Sequence, residues 1–229
     1  MRRWGLDLLI AWLVVQPCGL AAEVSLCPTA GRVQTAVESL LERRWKHVVR
    51  QSLDISCGSA ALATILNYQF GDRVSERVLI KTILKHVNRD EVRKRGGFTL
   101  LDLKRVAGAL GYRVKGYKLS LEQLKHLGSP ALVPITIRGF KHFVVFRGMA
   151  GDRVIVADPA FGNTLLEESE FTRFWQGIAM VFTKQGRRHS SPSQLNVTED
   201  DLNVAEAHEA LRSFMQRGDF HTVVGPDEF

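Results

Sequence analysis

The sequence predicts an α+β fold, with helices in the first half of the chain and an antiparallel sheet in the second. Between residues 32 and 130, apolar residues recur at helical spacing, most clearly over 33–41 and 78–84. After Pro130 the pattern changes to short β-branched and aromatic runs: ALVPITI, HFVVFRG, DRVIVAD and GIAMVFTK. Gly, Asp or Asn lie between most of these runs, which is typical of hairpins and therefore favours antiparallel pairing.

Capping residues mark the ends of the predicted helices. A leading helix over residues 32–50 changes to an extended segment near Val48, and residues 57–69 are small and then aliphatic, as in a buried helix. YRVKGYKL, residues 112–119, alternates like a strand. Ser75 is the predicted N-cap of a further helix, Thr99 is expected to begin the next one, and Ser120 forms a predicted capping box with Gln123.

Charge is distributed unevenly along the chain. The net charge is +7, but residues 190–229 hold eight acidic and two basic side chains, so the remaining residues carry +13. A basic body with an acidic tail is compatible with nucleic acid, an anionic membrane surface or an acidic peptide as partner. The sequence contains no nucleic-acid-binding motif and no stripe of Lys and Arg interleaved with aromatics. We therefore expect no nucleic-acid partner and a soluble surface with scattered basic residues.

The first 22 residues have the layout of a secretory signal peptide. Arg2 and Arg3 precede the apolar run 8–15, and small residues follow, with a cleavage point expected near Ala21 or Ala22. The apolar run is shorter than the roughly 20 residues of a membrane span, although an uncleaved anchor remains an alternative. The predicted organisation is then a leading helix over 23–47, a main domain over 48–185, and a linker with an acidic C-terminal helix over 186–229.

Cys57 is the residue that most directly suggests chemistry. It stands at the start of the predicted buried helix, where the positive end of the helix dipole favours the thiolate, the nucleophilic form of cysteine. Gly58 and the small residues after it leave room for a substrate backbone. Cys57 is otherwise a small buried hydrophobic residue or the disulfide partner of Cys27 in an exported protein. No Cys-x-x-Cys or Cys/His cluster has the spacing of a zinc site, so we expect neither a metal nor a cofactor.

His142 and Asp158 are the candidates for a base and its orienting group. His142 begins one predicted strand and Asp158 ends the next, and two adjacent antiparallel strands bring such positions to the same sheet edge. Gln51 lies six residues before Cys57, and its amide reaches the site if the intervening loop folds back. It would then serve as an oxyanion donor beside the Cys57 backbone N–H. Taken singly, these residues are best explained as a surface histidine, a turn aspartate and a solvated glutamine, whereas the combination with Cys57 favours a site.

The complete pattern resembles peptidase family C39, whose best-known members trim double-glycine leader peptides. Gln51, a five-residue spacer and CGSAALATIL carry the resemblance, followed in order by GGFTLLDLKRVAGALGYRV, SLEQLKHLGSPALVPI, HFVVFRG, VIVADPAFG and EFTRFWQGIAMVF. It spans roughly residues 48–184. The resemblance implies a papain-like fold, Cys57 as nucleophile, His142 as general base, Asp158 as orienting residue and Gln51 as oxyanion donor. Ser56 departs from many transporter-fused members, which have Asp directly before the cysteine.

The resemblance extends to stand-alone, exported members of the family that accompany functional-amyloid secretion in Gram-negative bacteria. It implies a periplasmic cysteine endopeptidase whose partners are polypeptide substrates, amyloid subunits or their export machinery. A membrane contact is expected only through an uncleaved signal. Two other classes stay open at this point: an inactive module of the same fold that binds a peptide along a sheet edge, and a cell-wall amidase with a Cys/His site.

Overall fold

The computed structural model describes residues 39–184 and 193–201, in which helices and strands follow the predicted order. The helices of these ranges are α1 (Leu40–Trp45), α2 (Cys57–Tyr68), α3 (Glu76–Ile83), α4 (Arg89–Lys94), α5 (Leu100–Ala109), α6 (Leu121–Lys125) and α7 (Glu168–Phe174). The strands are β1 (Tyr112–Lys118), β2 (Ala131–Ile137), β3 (Phe140–Ala150), β4 (Arg153–Asp158), β5 (Gly162–Glu167) and β6 (Ile178–Lys184). The predicted α+β class is therefore confirmed.

The six strands form one sheet in the order β1-β6-β2-β3-β4-β5, with every neighbouring pair antiparallel. Strands β2 to β5 are joined by consecutive hairpins, as the short runs and turn residues predict. The chain then crosses back, so that β6 lies between β1 and β2. This crossover ties the early strand β1 to the hairpin half of the sheet.

Each face of the sheet is covered by helices and has its own apolar core. Alternate residues of a strand point to opposite faces, so Val145 and Ala157 join the cluster built on α2, α3 and α5. Val144 and Val156 instead join a second cluster that contains Leu124 of α6 and Phe171 of α7. The α2 segment is buried from its first residue to Leu66, as its small and aliphatic sequence predicts.

The predicted helix caps are confirmed. The Ser75 side chain accepts a hydrogen bond from the backbone N–H of Val78 at the start of α3. Thr99 with Asp102, and Ser120 with Gln123, form reciprocal capping boxes at α5 and α6. Because these caps satisfy N–H groups that have no partner within the helix, they fix where each helix begins.

The sequence analysis missed α4, β5 and α7. Helix α4 has six residues, of which only Val92 is buried, so it shows no apolar periodicity. Strand β5 is a half-buried edge strand, GNTLLE, whose first residues are typical of a turn. Helix α7 follows without a side-chain cap on Glu167. Of the predicted leading helix, only α1 lies within the described residues.

Residues 193–201 pack against the main domain. Leu195 is fully buried in the same cluster as α2, and the backbone N–H of Gln194 donates to the carbonyl of Tyr68 at 2.9 Å. The rest of the predicted linker and acidic helix, and the predicted signal peptide 1–22, lie outside the described residues. Within the described ranges, no helix is long and apolar enough to cross a membrane.

Candidate active site

Cys57 is the first residue of α2, and its side chain is a free thiol with 6% of the residue exposed. Gly58 sets how closely this end of the helix packs on β3. A Cβ atom at Gly58 would lie 3.0 Å from the ring of Phe143 and 3.1 Å from Leu103. Glycine therefore allows the start of α2 to rest on the residue beside His142.

His142 and Asp158 are joined across the β3–β4 hairpin. Val145 pairs with Ala157 in the sheet, so continuing the register by one residue places Asp158 opposite Val144 and diagonal to His142. The Nε2 atom of His142 lies 2.9 Å from Oδ1 of Asp158. Oδ1 also accepts the backbone N–H groups of Ala160 and Phe161, at 2.7 and 3.2 Å, so the turn after β4 fixes the carboxylate.

The imidazole interacts with both partners at once. Burial of the ring by itself lowers the pKa of His142. Hydrogen bonds to the Asp158 and Cys57 side chains, together with electrostatic attraction to these two groups, outweigh it and raise the pKa from 6.5 to about 9. Since Nε2 faces Asp158, Nδ1 is the ring nitrogen left for the thiol. The site therefore favours a protonated imidazole beside sulfur at neutral pH.

Gln51 is connected to the site through its backbone, and its side chain is oriented by the loop that follows it. Its backbone N–H donates to the carbonyl of Pro159, the residue after Asp158, at 2.9 Å. Its Nε2 donates to the carbonyl of Leu53 at 3.1 Å. Because a carbonyl accepts and never donates, this bond fixes which end of the Gln51 amide is the nitrogen. One N–H of that nitrogen remains for another acceptor.

The structure thus brings Cys57, His142 and Asp158 into one connected group and ties Gln51 to the residue after Asp158. A thiol at a helix N-terminus, an imidazole beside it and a carboxylate on the far ring nitrogen can perform nucleophilic acyl transfer. In the described part of the chain, no group of three or more His, Cys, Asp or Glu side chains is arranged to hold a metal ion.

Two supporting groups were not found from the sequence. One is the Pro159 carbonyl, which as a backbone atom gives no sequence signal. The other is Glu76, a buried carboxylate bonded to Ser52 and Ser56 at either end of the loop before Cys57. An acidic residue in the first turn of a helix is already explained by the helix dipole. The sequence position of Glu76 therefore gave no indication of a role in the site.

The chain belongs to the Peptidase C39 family, whose model matches residues 45–187. Two similar relatives carry the name "Probable functional amyloid protease FapD". The relative from Pseudomonas aeruginosa is 41% identical over 165 residues, which cover 72% of this chain and 73% of that protein. The relative from Pseudomonas fluorescens is 38% identical over 186 residues, 81% of each chain.

Solved structures agree with this assignment. A double glycine motif protease from an AMS/PCAT transporter, in complex with the leader peptide, superimposes with a TM-score of 0.50 at 31% identity, covering 60% of this chain and 91% of that one. The peptidase domain of Streptococcus ComA, a bi-functional ABC transporter, gives a TM-score of 0.52 at 24% identity and covers 60% and 98%. The papain-like fold expected from the sequence is therefore confirmed.

Proposed function

We propose that this chain is a cysteine endopeptidase with Cys57 as nucleophile, His142 as general acid and base, Asp158 as orienting residue and Gln51 as oxyanion donor. The observation that carries the proposal is the bonding of the His142 ring. Its Nε2 bonds Oδ1 of Asp158, and the same ring hydrogen-bonds the Cys57 side chain. Membership of a peptidase family supports the same reading.

The proposed reaction follows from this arrangement. The Cys57 thiolate attacks the carbonyl carbon of the scissile peptide, and the oxygen takes up the negative charge. A free N–H of Gln51 and the backbone N–H of Cys57 stabilise that charge. The carbon–nitrogen bond breaks as the His142 imidazolium gives its proton to the leaving amine, which leaves a thioester on Cys57. Neutral His142 then takes a proton from water, the water oxygen attacks the thioester, and the acid product and the thiol are released.

We further propose that the substrate is a protein of a functional-amyloid secretion pathway. The similarity to two relatives named as probable functional amyloid proteases, each aligned over more than two thirds of its length, supports this assignment. The N-terminal pattern of residues 1–22 supports export to the periplasm as the site of action.

Mass spectrometry of secreted and periplasmic proteins tests the proposed function in cells. Cells with the wild-type chain and cells with Cys57→Ala are compared for the N-termini of every exported protein. We expect one protein to carry a new N-terminus only in wild-type cells, which identifies both the substrate and the cleavage site. Identical N-termini in the two strains would refute a peptidase function, and the same spectra report whether residues 1–22 are removed from the chain itself.

The pH dependence of hydrolysis tests the roles of His142 and Asp158. For a peptide spanning the cleavage site, we expect kcat/KM to fall at alkaline pH with an apparent pKa of about 9, because His142 loses the proton it gives to the leaving amine. In Asp158→Asn this fall is expected at lower pH. The substitution removes a negative charge that raises the pKa of His142, while burial, which lowers it, remains.

A second carboxylate serves as the control for this profile. Asp152 lies at the β3–β4 turn with 85% of its side chain exposed. Asp152→Asn removes one negative charge without contacting the His142 ring. Its kcat/KM is therefore expected to decrease at the same alkaline pH as in the wild type. Equal profiles for Asp158→Asn and Asp152→Asn would contradict the orienting role of Asp158.

A further inference from the structure

We infer that Glu76 is the positioning residue of this site: its carboxylate holds the loop of residues 52–56 so that the Gln51 amide stays aimed at the oxyanion. The inference rests on the proposed function, since it assigns Glu76 a part in the same reaction. Glu76 is the first residue of α3 and lies 24 residues from Ser52 in sequence.

The carboxylate binds both ends of the loop. The backbone N–H of Ser52, the residue after Gln51, lies 3.1 Å from each of the two carboxylate oxygens. At the other end, Oγ of Ser56, the residue before Cys57, lies 2.5 Å from Oε1. One side chain therefore connects the residue after the proposed oxyanion donor to the residue before the proposed nucleophile.

Burial makes these bonds hard to replace. Glu76 is 6% exposed and Ser56 is fully buried. In the described ranges, no Lys or Arg side chain forms an ion pair with Glu76. The hydrogen-bond donors to its carboxylate are the Ser52 backbone N–H and the Ser56 hydroxyl. A buried charge that loses its hydrogen-bonding partners carries a large desolvation cost. The carboxylate therefore stabilises the conformation of the loop, and the loop stabilises the buried carboxylate.

A continuous chain of hydrogen bonds runs from Glu76 to the Gln51 amide. The Ser56 hydroxyl oxygen, bonded to Glu76, accepts the backbone N–H of Leu53 at 3.1 Å. The carbonyl of the same Leu53 accepts the side-chain N–H of Gln51 at 3.1 Å. A shift of the loop moves Leu53, and with it the acceptor that orients the Gln51 amide.

The outer side of the loop is only partly packed: Leu53 is 53% exposed, whereas Ile55 packs against the core around α2. Leu53, Ile55 and Ser56 line an apolar cavity of about 280 Å³ shared with α3 and α4. Gly97 approaches the loop closely, since a Cβ atom there would lie 3.0 Å from the carbonyl oxygen of Ile55. Hydrogen bonds to Glu76 therefore act together with the packing of Ile55 and Ser56 to determine where the loop lies.

Glu76→Gln is the variant that tests the inference. The two side chains have the same shape, but the amide presents an NH₂ group to the Ser52 N–H or to Ser56 in place of a carboxylate oxygen, and the negative charge is lost. We expect kcat for a peptide spanning the cleavage site to fall about tenfold with KM within about twofold, because misplacement of an oxyanion donor acts on the transition state.

A double-mutant cycle distinguishes positioning from a general structural effect. In the Gln51→Ala background, Glu76→Gln is expected to cost less than about twofold, since the group it positions is already gone. Alkylation of Cys57 by iodoacetamide forms no oxyanion, so its rate is expected to stay within about twofold of the wild type. Asp152→Asn serves as the control: it removes an exposed carboxylate that does not contact the loop, and should leave kcat unchanged.

The possible outcomes separate this inference from the proposed function. The inference would be overturned if Glu76→Gln kept the wild-type kcat, or if the decreases in kcat caused by Glu76→Gln and Gln51→Ala multiplied in the double variant. In both cases the wild type still cleaves the peptide, so the proposed function stands. If the wild-type chain and Cys57→Ala both fail to cleave, the proposed function and the catalytic part of the inference fall together. Hydrogen exchange at the Ser52 amide then decides the remaining part: protection lost in Glu76→Gln supports the anchor, and protection retained overturns it.

Discussion

Replacing Cys57 with Ala is expected to lower kcat for a peptide spanning the cleavage site by at least about 10⁴-fold, because the proposed reaction has no other nucleophile. His142→Gln is expected to lower it about 10³-fold or more, since the ring both activates the thiol and protonates the leaving amine. The two residues act as one unit. The Cys57→Ala, His142→Gln double variant should therefore be little worse than Cys57→Ala alone.

Histidine elsewhere on the surface provides the matched control. His86 is exposed and lies outside the site, so His86→Gln is expected to keep wild-type kcat and KM. Far-UV circular dichroism and the urea midpoint of each variant show that the fold is retained. A Cys57→Ala chain that still cleaves, or losses that multiply in the double variant, would show that the thiol and imidazole do not act together.

The sequence predicted the candidate residues because each lies at the end of a helix or strand. Cys57 begins a helix, His142 lies near the start of a strand and Asp158 ends the next strand. Hairpin pairing has a period of two residues, so the pattern of the two strands already limits which side chains meet. The Nε2–Oδ1 bond across the hairpin is a consequence of that register.

Contacts between distant segments could not be predicted in the same way. The sequence required the loop of residues 52–56 to fold back but gave no reason why it would. The reason is Glu76, on a different helix, whose acidic character in a first turn is ordinary. The edge strand β5 was missed because Gly, Asn and Thr at its start are typical of a turn, and its pairing with β4 decides its structure.

The packing of the segment after β6 also could not be predicted from its own sequence. Residues 186–229 were predicted as a linker and an acidic helix, since their composition is polar and acidic. Leu195 lies between the polar linker and the start of the predicted helix, and a single apolar residue at that position shows no periodicity. Its complete burial depends on the cluster around α2, which the sequence of the segment does not describe.

Leu195→Ala is expected to lower the free energy of unfolding by about 2–5 kcal/mol, because it removes a fully buried side chain and leaves a cavity in the core. Leu101→Ala makes the same chemical change at a position that is 52% exposed. It is expected to cost far less, within about 1 kcal/mol. Urea unfolding of the two variants and the wild type, followed by circular dichroism, measures both differences.

Arg147 explains why this short segment matters to the whole domain. Its side chain is 3% exposed, and its donors reach the carbonyls of Leu195 and Asn196, the Asn163 side chain, and both oxygens of Asp201. If the Leu195 segment detaches, only the Asn163 bond remains to a buried guanidinium, a situation that costs several kcal/mol. Detachment should therefore be coupled to unfolding, giving one cooperative transition in which the Leu195→Ala midpoint shifts and the m-value does not. A Leu195→Ala chain as stable as Leu101→Ala would show that residues 193–201 add nothing to the stability of the domain.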